Sequence, residues 1–94
     1  MKADIGVAAE VALVRMLLHN TANRMAEHRR ELRRQRAYVK KLEHSLCDTS
    51  AALVKQAEIE AALAQSEFER NQLRAELETL EAADHRQELS ASNR

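Results

Sequence analysis

The amino-acid sequence predicts an all-α protein whose long amphipathic helices form a coiled coil. Three observations favour this fold class. The 94 residues include no Pro and one Gly, so the chain has almost no turn signals. Ala, Leu, Glu, Arg, Gln and Lys dominate, and these residues lose little side-chain entropy in a helix. An apolar residue also recurs at every seventh position through the first half of the chain.

This heptad pattern defines a predicted oligomer seam. Every seventh residue from Val11 to Leu53 is apolar, whereas the row three residues later is mostly polar. After Leu53 a second apolar row follows in a different frame, which a three-residue skip or a break in the helix would produce. The predicted seam consists of Val11, Leu18, Met25, Leu32, Val39, Leu46, Leu53, Ile59, Leu63, Leu73, Leu77 and Leu80.

Two architectures fit the pattern. One is a near-continuous helical rod within an oligomer, and the other is an antiparallel helical hairpin that turns near residues 47–51. Asp48, Thr49 and Ser50 are candidate N-caps for a second helix, because their short oxygen-bearing side chains can accept from free backbone N–H groups. No Gly lies nearby to end a preceding helix, and the heptad step from Leu46 to Leu53 is unbroken. The sequence leaves both architectures open.

Charge is distributed unevenly between the two halves. Residues 1–47 contain ten Lys and Arg against five Asp and Glu, a net charge of +5, and residues 48–94 have the reverse, −5. Antiparallel pairing of the halves would place Arg36 opposite Glu60 and Arg29 opposite Glu67. Each exposed pair contributes only a few tenths of a kcal/mol, so we expect these pairs to select orientation more than to stabilise.

The composition divides the chain into four predicted segments. Residues 1–20 form an apolar N-terminal helix for oligomer formation or partner docking, because its apolar face is wider than a two-stranded seam requires. Residues 21–47 form a basic coiled-coil segment and residues 48–89 an acidic one. Residues 90–94 are expected to fray as a polar tail.

A cluster of basic residues in the second segment is a possible polyanion-binding surface. On a helix with Leu32 at the seam, the cluster covers one flank and the back, as a stripe that follows a phosphate backbone would. The alternative is a solvated flank that complements the acidic half, which the near absence of aromatic stacking residues favours. The possible polyanion contacts are Arg29, Arg30, Arg33, Arg34, Arg36, Lys40 and Lys41.

The sequence contains no pattern typical of catalysis or metal binding. It has neither a Gly-rich phosphate loop nor a nucleophile elbow. His44 and Cys47 share a helical face, but zinc needs about four ligands and there is no second Cys. We therefore expect no enzyme activity, no cofactor and no metal site. The most apolar stretch, residues 5–18, contains Glu10 and Arg15 and is too short for a membrane span.

These observations predict a non-enzymatic coiled-coil structural or adaptor subunit that mediates protein–protein association or complex assembly. The partner would be a second copy, a larger complex or both, and no small-molecule substrate is expected. The alternative is a small helical nucleic-acid-binding regulator that uses the basic segment 24–41. The lone Cys and the absence of a signal-peptide layout predict an intracellular, cytoplasmic location.

Overall fold

The fold is all-α and consists of two long helices. The computed structural model describes residues 2–92, with side chains described for residues 6–89. Helix α1 runs over Lys2–His44 and helix α2 over Ser50–Ser92, each 43 residues long. The chain reverses at residues 45–49, so the predicted all-α fold is confirmed as a helical hairpin and the near-continuous rod does not form.

Contacts along the hairpin divide the chain into two compact units. Unit 1 comprises Met1–Thr21 and Glu69–Arg94, and unit 2 comprises Ala22–Phe68. Each unit therefore combines part of α1 with part of α2, and unit 2 contains the turn.

Helix α1 ends in a Schellman motif. The backbone N–H of Cys47 donates to the carbonyl of Leu42 at 2.9 Å, and the N–H of Leu46 donates to the carbonyl of Glu43 at 3.1 Å. These two bonds define the motif, which places one residue in the left-handed region and usually uses Gly there. Here that residue is Leu46, with a φ of 56°. The chain thus ends the helix without Gly, at a cost of about 1–2 kcal/mol.

Helix α2 begins at the capping residues that the sequence predicts. Oδ1 of Asp48 accepts a hydrogen bond from the Ser50 backbone N–H at 3.0 Å and another from the Ser50 hydroxyl at 2.7 Å. The carbonyl of Thr49 accepts from the N–H of Leu53 at 2.9 Å. The hydrogen bond from the Ser50 hydroxyl lowers the pKa of the Asp48 carboxyl below its ordinary value, and the bond from the Ser50 backbone N–H lowers it further by a smaller amount.

Unit 2 has a small core to which both helices contribute one heptad row. The row of α2 starts at Ala52, one residue before Leu53, so it is out of step with the row of α1. This offset explains the frame change in the sequence, because the turn interrupts the count. The buried side chains are Met25, Leu32 and Val39 on α1, and Ala52, Ile59 and Ser66 on α2.

The polar second row of α1 is also covered. In unit 1, Thr21 is buried and its hydroxyl donates to the carbonyl of Leu17 at 2.8 Å. In unit 2, the half-buried Gln35 donates its side-chain amide to the carbonyl of Ala52 at 2.9 Å. Among the described residues, no buried side-chain nitrogen or oxygen lacks a partner. Polar groups inside a helix contact add little net stability but help to fix the register.

The residues of the predicted seam fall into two groups. Most are covered within the single chain, whereas Leu46 lies in the turn with 94% of its surface exposed and Leu53 is 47% exposed. The structure does not bring these two residues into the row, because the chain turns between them. The covered residues are Val11, Met25, Leu32, Val39 and Ile59, which are buried, and Leu18, Leu63, Leu73, Leu77 and Leu80, which are half-buried.

Both ion pairs expected from antiparallel pairing are present in unit 2. Nη2 of Arg36 lies 3.3 Å from Oε2 of Glu60, and Nη2 of Arg29 lies 3.9 Å from Oε2 of Glu67. In unit 1, Arg15 pairs with Glu81 at 2.6 Å. The residue numbers of each pair add up to 96, as antiparallel facing requires. Because the six side chains are about half exposed, the pairs select orientation and contribute little stability.

Replacing Leu46 by Gly is expected to stabilise the hairpin by about 1 kcal/mol, because Gly adopts the left-handed conformation without a steric penalty. Little packing is lost, since the leucine side chain is almost fully exposed. Urea unfolding followed by circular dichroism measures the change. Leu46→Ala is the matched control and should change stability little. A destabilising Leu46→Gly substitution, or equal effects of the two, would contradict the assigned strain.

The Asp48 cap predicts a specific dependence of stability on pH. Its folded-state pKa is lowered, so the carboxylate stabilises the fold fully above the unfolded pKa of about 3.9. This contribution is lost as the pH falls through the folded pKa. The difference in unfolding free energy between the native chain and Asp48→Asn should therefore be constant near neutral pH and shrink in acid. Urea unfolding across a pH series measures it, and a difference independent of pH would refute the role of the charge.

Candidate interaction surfaces

The outer surface of α2 in unit 2 carries an apolar stripe. Its residues alternate at spacings of three and four, as in a coiled-coil contact, but they lie outside the buried row of Ala52 and Ile59. Val54 is 60% exposed and Phe68 57% exposed, and the three alanines between them are exposed as well. We call this set the α2 stripe: Val54, Ala57, Ala61, Ala64 and Phe68.

Polar residues border the α2 stripe on both sides. Glu58 lies along one edge and Glu60 and Glu67 along the other. The last two carboxylates already face Arg36 and Arg29, which offsets their charge. An apolar centre with a polar rim is the usual arrangement of a protein–protein interface, whereas the outward face of a helix in a two-helix hairpin is normally polar throughout.

Sequence reasoning missed this stripe because it followed the leucine rows. Alanine carries a weak hydrophobic signal, since it is equally common on the solvated faces of helices as a helix former. The available signal is that positions 54, 61 and 68 are apolar in steps of seven, two residues after the row that begins at Ala52. A helix with two such rows has two apolar faces.

Unit 1 exposes a second apolar surface on α1. Val11 and Val14 are buried, whereas Leu13, Met16 and Leu17 are exposed. The sequence predicts a broad apolar face over this segment, and the structure divides that face into an inner row and an outer row. The contact with α2 covers the inner row alone.

The structure divides the seven possible polyanion contacts into two sets. Arg29 and Arg36 lie beside α2 and face Glu67 and Glu60. The other five are exposed on the outer side of α1, and none forms an ion pair with a carboxylate among the described residues. We call these five the α1 cationic face: Arg30, Arg33, Arg34, Lys40 and Lys41.

The described part of the chain contains no group of three or more His, Cys, Asp and Glu residues that could hold a metal ion. Cys47 is an exposed free thiol in the turn. A shallow surface depression in unit 2 is lined by Lys40, Glu43 and His44. Neither helix is long and apolar enough, over residues 2–92, to cross a membrane.

The chain matches no protein-family model, no curated protein and no solved structure. The surfaces described above that could bind a partner are the α2 stripe, the outer apolar row of α1 and the α1 cationic face.

Proposed function

We propose that the protein is a non-enzymatic association subunit in which the α2 stripe docks against the α2 stripe of a second copy. One observation carries this proposal: five exposed apolar side chains have the spacing of a helix contact, on a helix whose opposite face is already covered. Contiguous exposed apolar surfaces with a polar rim are typical of sites of protein association. Burial of this surface between two copies supplies the driving force.

The order of residue sizes along the stripe favours an antiparallel pair of identical stripes. Val54 and Phe68 are the bulky residues and stand at the two ends, with Ala57, Ala61 and Ala64 between them. A two-fold axis near Ala61 would lay Val54 of each copy against Phe68 of the other and the alanines against one another, so that the same surface serves both partners. The alanines also allow a close approach of the two helices, because interaxial distance depends on the side chains at the contact.

The charges at the edge of the stripe are compatible with this pairing. A two-fold axis near Ala61 brings Glu60 of one copy towards Glu60 of the other, which by itself would be repulsive. Arg36 lies 3.3 Å from the Glu60 carboxylate and offsets this repulsion, and Arg29 lies 3.9 Å from the carboxylate of Glu67 at the same edge. The ion pairs within the hairpin thus reduce the net negative charge at the edge of the stripe where the second copy would dock.

Replacing Val54 and Phe68 together by Glu is expected to separate the dimer. Loss of the two largest apolar side chains of the contact costs about 3 kcal/mol, so the dissociation constant should rise about 100-fold. The fold should persist, because both side chains are mostly exposed within the chain. Sedimentation equilibrium over a concentration series measures the mass, and circular dichroism checks the helix content.

The matched control is the pair Ala22→Glu and Tyr38→Glu, which adds the same two charges to exposed positions on α1 of unit 2, where Tyr38 is 52% exposed and thus resembles Phe68 in size and exposure. This variant should dimerise like the native chain. A native chain that stays monomeric at every concentration would overturn the proposal, and so would equal dissociation of the two variants.

A further inference from the structure

We infer that the α1 cationic face binds the phosphate backbone of double-stranded DNA without reading its base sequence. This inference goes beyond the proposed association, because it uses the other helix of unit 2 and does not require a second copy. It starts from five cationic side chains that the hairpin leaves without an acidic partner among the described residues.

The five side chains form one continuous surface. With 3.6 residues per turn, Arg30, Arg33, Arg34, Lys40 and Lys41 lie within an arc of about 120° around α1 and span about 16 Å along its axis. The arc points away from the buried row of α1, which faces α2. Ala37 lies at its centre, so no long side chain separates the cations or holds a ligand away from the helix.

Acidic groups border this face and do not interrupt it. Glu27 and Glu31 share a shallow groove with Arg30 and Arg34 at the N-terminal end of the face. At the other end, Glu43 follows Lys41. Between residues 32 and 42 the helix has no Asp or Glu at all. An anionic polymer along the axis would therefore meet uninterrupted positive charge over the central two to three turns.

The spacing and side-chain chemistry of the face favour a duplex. About 16 Å of double-stranded DNA carries roughly nine phosphates, which is enough to contact all five cations without insertion of the helix into a groove. A single strand would require aromatic platforms for base stacking, and Tyr38, the only aromatic residue on α1, lies beside the arc. Insertion into a lipid surface would require large apolar residues, and Ala37 is the only apolar side chain in the arc.

The same face lacks the amides that commonly read adenine. Asn and Gln are absent from the arc, and the nearby Gln35 points to α2, where its side-chain amide donates to the carbonyl of Ala52. Lys and Arg contacts to phosphates fix position but carry no sequence information. Binding is therefore expected to depend on salt and to be nearly independent of sequence.

The test measures binding of fluorescent duplexes of unrelated sequence by anisotropy at several KCl concentrations. Log affinity should fall against log salt with a slope between about −3 and −4.5, as expected for up to five phosphate contacts. The variant with Arg30→Gln, Arg34→Gln and Lys41→Gln should bind at least tenfold more weakly at about 50 mM KCl, with a slope shallower by about 2.7.

The control variant carries Lys55→Gln, Arg74→Gln and Arg86→Gln, which remove the same charge from exposed positions outside the face. It should keep its affinity within about threefold, since only the long-range field changes. Several outcomes would overturn the inference: no binding at low salt, equal loss in both variants, or a salt-independent affinity. Tighter binding to a single strand or to anionic vesicles than to the duplex would also overturn it. Because the sedimentation mass is measured separately, failure of this inference and failure of dimer formation are distinguishable.

Discussion

The rest of the structure depends on the reversal of the chain at residues 45–49. Two backbone hydrogen bonds end α1 around Leu46, and the carboxylate of Asp48 accepts two hydrogen bonds from Ser50 at the start of α2. The reversal brings the basic half of the sequence against the acidic half. If the helix continued through residue 46, no arginine of α1 could meet a glutamate of α2 within one chain, and the heptad rows would need another molecule to cover them. A leucine in the left-handed conformation is thus the local cost of an internal core.

Much of the hairpin could be predicted from the sequence because its contacts follow helical periodicity. The heptad count locates the buried Met25, Leu32 and Val39, and the charge asymmetry gives the facing of Arg29 with Glu67 and of Arg36 with Glu60. The sequence predicts a possible turn near residues 47–51 but does not decide between a turn and a continuous helix, because the turn uses a residue that avoids positive φ and because Leu46 continues the row of sevens. A heptad count detects only the seven-residue period of apolar residues. It cannot detect a reversal of the chain when the same period continues on both sides of the turn.

The candidate surfaces were harder to predict for a different reason. A Lys or Arg side chain is available to an anionic partner only if it is not already paired with a carboxylate of the same chain. Which side chains are paired is known only from the folded hairpin. The seven cations look equivalent along the sequence, whereas in the structure two face glutamates and five face outward. The α2 stripe is hidden in the same way, because alanine becomes informative only once the inner row of α2 is known.

Within unit 2 the stripe and the α1 cationic face lie on different helices, so docking at one leaves the other open, and a dimer would present two cationic faces.

The arrangement of contacts around the turn has a consequence for the order of folding. Sequence separation grows from 17 residues for the bond between Gln35 and Ala52, through 24 and 38 for the ion pairs of unit 2, to 66 for Arg15 and Glu81 in unit 1. Closing the longest of these loops directly from the unfolded chain costs about 1 kcal/mol more in entropy than closing the shortest. Unit 2 therefore has the kinetic advantage, and once it has formed, the two helical segments of unit 1 start close together. We therefore expect unit 2 to fold before unit 1, and the amide protons of unit 1 to exchange with solvent first.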